Sequence, residues 1–148
     1  MKFVLETGQN FLIHGYDIGE LSITNIHADH PALKSGLIDK WDADNHLGIF
    51  HKSMILRADG TFKDWLPQEI ADFRPDHFLS LTDDTPEVVL FGTGQYLRFP
   101  PQECLSVLQQ QSLGYEVMDT AAACRTFNVL AAEGRDVVLA TLMIEANT

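Results

Sequence analysis

Three apolar runs in the C-terminal half constrain the fold more than any other feature: "EVVLFG" from Glu87, "YEVMD" from Tyr115 and "DVVLATLMI" from Asp136. Continuous apolar runs of this length, bounded by glycine or aspartate, suit strands buried on both faces of a sheet. Helical patterns separate them. "PPQECLSVLQQQ" has opening prolines and the Leu105, Leu108 spacing of an amphipathic helix ending near Gly114. A second helix is expected from about Thr120 to Glu133, with Asp119 or Thr120 as N-cap and Gly134 as the C-terminal stop. Strand, helix, strand, helix, strand with short connections predicts a right-handed α/β unit on a largely parallel sheet.

The N-terminal half reads as β-rich. "NFLIHGYD", "GELSIT", "HKSMIL" and "TFKDW" are short strand-like runs, punctuated by Gly15, Gly19 and the "ADG" at Ala58 to Gly60. Residues 27–45, with Pro31 and Gly36 and no sustained period, read as an inserted or extended loop. "LPQEIADFRPDHFLSLT" reads as helical, Pro67 suiting a first turn, and "QYLRF" alternates like a strand. The 148 residues, 45% hydrophobic, suit one domain with a sizeable core, so 1–148 is read as a single domain.

Charge narrows the partners. Ten Lys plus Arg against 21 Asp plus Glu give a net charge of -11, which disfavours nucleic-acid phosphates and anionic membrane surfaces. Small molecules and proteins are the expected partners. The opening "MKFVLETGQNFLIHGYD" lacks the apolar core and cleavage site of a signal peptide, and no run approaches the ~20 apolar residues of a membrane span. A soluble, cytoplasmic protein is the expectation. Cys104 and Cys124 match no Cys-x-x-Cys spacing, and reduced thiols are the simplest assignment.

If the first two apolar strands are parallel neighbours, the turn Gly92, Thr93, Gly94 lies beside Asp119 and Thr120 at their carboxyl ends. Open α/β sheets bind ligands there, and the helix would turn unpaired N–H groups toward it. Asp119, Thr120, Cys124, Arg125 and Asn128 all fall in its first turns. Each also has a role without a ligand. Gly92 and Gly94 permit a tight turn, Asp119 or Thr120 caps a helix, Ala121 to Ala123 allow close packing, and Cys124 suits a buried apolar thiol. Arg125 runs against the helix dipole and is expected to have an acidic partner, with an internal ion pair as the leading reading.

His27, Asp29 and His30, with Asp42, Asp44 and His46, supply enough ligands for a metal but match no zinc spacing. The calcium-loop pattern fails too, with Ser53 at the twelfth position from Asp42. A solvated loop is the expectation, with no metal and no cofactor.

"PEVVLFGTG", "FPPQE" and "GYEVMDTAAACRTFNVLAAEGRDVVLATL" closely resemble a small family of mostly uncharacterised domains that includes a mitochondrial assembly factor of respiratory complex I and many bacterial proteins. The resemblance is dense from about Pro86 to Leu142. It implies a three-layer α/β fold, with a central mixed, largely parallel sheet and extra N-terminal β structure, and no established catalytic activity. Its pattern falls on Gly92, Thr93, Gly94, Glu116, Met118, Asp119, Thr120, Ala123, Cys124, Arg125, Asn128, Glu133, Gly134 and Arg135, while Phe127 stands where an aromatic residue, often tyrosine, is usual. Residues 27–45 look longer than the family's usual hairpin. The leading expectation is therefore a non-enzymatic, assembly-factor-like domain acting through a protein partner. The alternative is a binder of a small anion, or an enzyme, using the crevice between the Gly92–Gly94 turn and the Thr120 helix.

Overall fold

The computed structural model describes residues 11–146, so the start of the run read as free of a signal pattern, and Asn10, lie outside the described residues. In chain order the strands are β1 (Ile13–Asp17), β2 (Glu20–Ile23), β3 (Lys40–Asp42), β4 (Leu47–Phe50), β5 (Met54–Arg57), β6 (Phe62–Asp64), β7 (Val88–Gly92), β8 (Gly114–Met118) and β9 (Val137–Thr141). The α-helices are α1 (Pro31–Ser35), α2 (Pro75–Leu79), α3 (Gln102–Gln110) and α4 (Thr120–Ala132). One sheet is antiparallel, in the order β1-β2-β4-β3. The other has the order β6-β5-β9-β7-β8, with β9, β7 and β8 parallel and β5 antiparallel to both its neighbours.

The five-stranded sheet is the middle layer. On one face Trp65, Phe73, Phe78 and Leu81 pack with Cys104, Leu105 and Leu108 of α3 against Val89, Phe91, Val138 and Ala140. On the other, α4 buries Ala123, Cys124, Phe127 and Ala131 against Leu90, Val137 and Leu139, together with Ile13, Leu21, Ile23 and Phe50 of the antiparallel sheet. Alternate residues of β7 and β9 thus feed opposite cores, the two-sided burial that an uninterrupted apolar run requires. The crossovers β7-α3-β8 and β8-α4-β9 lie on opposite faces, and the first steps outward to the edge while the second steps back past β7, so both have the same hand.

Several details differ from the sequence expectation. β9 is buried throughout, but β8 is an edge strand and only partly covered, not a second fully buried one. Residues 27–45 are not simply a loop: they hold α1 and β3. The His30 Nδ1 accepts the Ala32 N–H (3.0 Å), Gly36 ends α1 at φ 83°, and β3 pairs with β4. Between Leu66 and Thr82 the α-helix starts at Pro75 rather than Pro67, because a proline pushes its predecessor out of helical geometry, and Arg74 is extended at φ -133°, ψ 154°. Residues 95–99 form no strand.

Phe127 is fully buried in the core shared by both sheets and α4. Phe127→Ala should therefore destabilise the protein by about 3–5 kcal/mol in denaturant unfolding, the usual cost of an aromatic cavity.

Candidate functional site

The carboxyl ends of β7, β8 and β9 bring the Gly92–Gly94 turn against the start of α4, and buried hydroxyls hold the junction. Thr93, Thr120 and Thr141 are all fully buried. The Thr120 hydroxyl accepts the Gly94 N–H (2.8 Å) and donates to the Leu142 carbonyl (2.8 Å). The Thr141 hydroxyl lies 3.2 Å from Thr120 Oγ1 and 2.8 Å from the same carbonyl. Thr93 donates its hydroxyl to the Tyr96 carbonyl (2.6 Å), accepts the Arg98 N–H (3.2 Å) and lies 3.1 Å from the Met118 carbonyl. Together these hydroxyls give the Gly94 N–H and the Leu142 and Tyr96 carbonyls hydrogen-bond partners.

The helix start is used in the same way. Asp119 is the N-cap, its carboxylate accepting the Ala122 N–H (2.8 Å), while the Thr120 N–H donates to the Gly94 carbonyl (2.9 Å). Two donors that would have faced a ligand thus have protein partners. The glycines are needed for contact. A Cβ on Gly92 would overlap the Thr141 hydroxyl, and Gly94, at φ 95°, would place one on Glu145.

Glu145 closes the rim. It accepts the Gln95 N–H (2.6 Å) and pairs with Arg98 (2.6 Å). Burial alone would raise its pKa, but the Gln95 N–H and Arg98 outweigh that and hold it below the usual carboxylate range. Nothing in the local sequence marks Glu145, which stands 50 residues from Gln95.

The remaining candidates divide. Cys124 is buried, and burial pushes its thiol up to about 12 despite Arg125, so it is protonated at neutral pH. Cys104 belongs to the opposite core, which excludes a bridge between the two free thiols. Arg125 is exposed and donates to the Tyr16 hydroxyl (2.8 Å); among the described residues it makes no ion pair, contrary to the sequence expectation. Asn128 turns instead to β1, accepting the Ile13 N–H (2.8 Å) and donating to the Ile13 carbonyl (2.9 Å). The His/Asp segment gathers no metal set: His27 lies against His46 with ring centroids 4.1 Å apart, and no group of three or more ligating side chains occurs among the described residues.

A three-layer α/β domain whose strand ends are closed by threonine hydroxyls is the class that fold and site define. Residues 13–142 match the family described as "Protein of unknown function (DUF498/DUF598)", and the chain belongs to that family. It is 27% identical over 94 residues to the "13 kDa major membrane protein" of Francisella tularensis subsp. holarctica (strain LVS), covering 62% of this chain and 76% of the relative. It is 30% identical over 80 residues to bovine (Bos taurus) "NADH dehydrogenase (ubiquinone) 1 alpha subcomplex assembly factor 3", covering 47% of this chain and 44% of the relative. The match thus spans less than half the length of the bovine protein. A crystal structure of a Bordetella parapertussis protein superimposes with a TM-score of 0.71 at 27% identity, covering 90% of this chain and 96% of that one. No helix among the described residues is long and apolar enough to cross a membrane.

Two outcomes separate architecture from surface. Thr120→Val leaves the buried Gly94 N–H without its partner and should cost about 2–3 kcal/mol in urea unfolding, whereas Arg125→Ala, which loses one exposed hydrogen bond, should cost less than about 1 kcal/mol. Because the Glu145 pKa is lowered, its contribution is present above the ordinary value of 4.5 and lost as pH falls through the folded value. Glu145→Gln should therefore be less stable than the parent at neutral pH, the difference vanishing in an acid titration of melting temperature below pH 4.5.

Proposed function

We propose that the chain is a non-enzymatic accessory domain, assembly-factor-like, that acts by binding a protein partner. One observation carries the reading. Over the closed strand ends, the 95–99 loop presents Leu97 and Phe99 to solvent, 53% and 67% exposed. Its backbone is nevertheless fixed from within by Thr93 and Glu145. Large apolar side chains on a rigid, exposed support suit a docking patch, because little ordering entropy is lost when a partner covers them. The chemistry at the start of α4 supports the same reading: the buried Cys124 thiol is protonated, and the hydroxyls of Thr93 and Thr120 are committed to backbone groups.

The bovine relative is named as an assembly factor, which agrees with a binding role and leaves the partner of this chain open. A cytoplasmic location belongs to the same proposal. The Francisella relative is named as a membrane protein, so a membrane-associated complex is the first place to seek the partner.

The test is native crosslinking with the parent chain and the Leu97→Asp, Phe99→Asp double variant. The parent should recover a specific partner and the variant about tenfold less of it, as expected when anchor residues are removed from an interface, with an unchanged melting temperature. Equal recovery by both proteins, or no specific partner for the parent, overturns the reading. The anion-binding alternative would instead show as stabilisation of the parent, and not of Arg125→Ala, by a small anion.

A further inference from the structure

Among the described residues the two sheets have four edges, and three are guarded. β3 and β6 are only three residues long. β1 has a register shift between Ile13 and Gly15, and Asn128 occupies both backbone groups of Ile13. Short strands, bulges and side-chain covers are the usual ways of keeping an edge from pairing with another chain. β8 has none of them. It runs five residues in unbroken register with β7 and contains no proline.

The phase of its ladder is set by the Thr93 N–H, which donates to the Met118 carbonyl (2.9 Å). In a parallel pair, alternate residues direct both backbone groups at the neighbour. Gly114, Glu116 and Met118 therefore face β7, and Tyr115 and Val117 turn their N–H and C=O groups outward. Among the described residues no backbone or side-chain group pairs with these four. The side chains sort the other way: Tyr115 and Val117 pack toward the α3 core, while Glu116 is on the α4 face and exposed.

We infer that the outward edge of β8 takes up an extended, basic segment of a protein partner as a sixth strand. This rests on the protein-partner reading above and gives it a binding mode. Main-chain pairing supplies affinity in strand addition, and side chains opposite the edge supply selectivity. Glu116, in a chain of net charge -11, selects for a Lys or Arg directly across the pair. A second copy fits poorly. The antiparallel register that pairs all four outward groups puts the two-fold axis at Glu116, which sets that carboxylate against its own mate between two acidic chains. Thr93 also joins the end of β8 to the Tyr96 carbonyl, so a strand leaving this edge runs on to the loop that carries Leu97 and Phe99.

The probe is a capped heptapeptide alternating Lys and Val, with a Glu/Val counterpart and an N-methylated Lys/Val control. Amide exchange is read in the full chain. In the free protein the Tyr115 and Val117 amides should exchange faster than those of Glu116 and Met118, and the Lys/Val probe should slow them about tenfold. The N-methylated control should leave them unchanged. Glu116→Lys, an exposed change whose folding is checked by melting temperature, should weaken the Lys/Val probe about fivefold and favour the Glu/Val peptide. Slow exchange of both amides in the free protein, equal protection by the N-methylated peptide, or protection that grows with protein concentration alone would overturn the inference. A chain whose Leu97→Asp, Phe99→Asp variant loses its partner while Glu116→Lys keeps it would fail here and leave the protein-partner reading standing.

Discussion

The Thr120 hydroxyl is the point on which the rest of the structure turns. Three segments far apart in sequence end at the same place: the strand-ending turn at Gly94, the first residue of α4, and the chain leaving β9 at Leu142. Each brings a backbone polar group into a volume that excludes water, where an unpaired donor or acceptor costs about 1–3 kcal/mol. One hydroxyl accepts from the first and donates to the third. Its own backbone N–H binds Gly94 again. The side chain has to be small enough to sit under Gly92, whose missing Cβ leaves room for Thr141 beside it. The close approach of strand, turn and helix therefore depends on a glycine and a threonine together.

From that anchor α4 acts as the link between two sheets. Its small residues let it lie close to β7 and β9, and Phe127 fills the space that the antiparallel sheet would otherwise leave. Asn128 adds a directional element. A side-chain amide presents an N–H and a C=O side by side with nearly the spacing of a peptide group, so it serves Ile13 as a neighbouring strand would. The helix thereby finishes the edge of the sheet it packs against. At the far edge of the central sheet β8 has no such cover among the described residues, and the contrast within one small molecule gives the open edge its meaning.

The parallel core and its crossovers were legible from sequence because both faces of β7 and β9 meet side chains, and continuous apolar character reports that. It does not report whether a strand has backbone neighbours on both sides, which is why "YEVMD" reads as buried although β8 is an edge. α1 and β3, at five and three residues, are too short to set up a period, and His30 as a cap has no distinctive spacing. Strand direction brings the turn and the helix start to the same end of the sheet, where Gly94 and Thr120 are in contact. What closes them has no local signal: Glu145 and Arg98 stand 47 residues apart, and Tyr16 lies 109 residues from Arg125. Arg125 was expected to need a carboxylate, but an exposed guanidinium is solvated well enough to settle for a phenol.

These contacts bear on what the family pattern means. Gly92, Thr93, Gly94, Asp119, Thr120 and Asn128 read as a site because polar residues and glycines gather where α/β proteins bind ligands. In this chain the glycines permit close approach, and the polar side chains hold backbone groups whose loss would open the core. A backbone that must be paired restricts residue choice as tightly as a reaction does, so such a pattern is no evidence of chemistry. Arg125 is the member of the set that does no comparable work, since its hydrogen bond to the Tyr16 hydroxyl is exposed. The groups that the fold supports but does not use lie further out: the apolar side chains of the 95–99 loop and the outward backbone groups of Tyr115 and Val117 in β8.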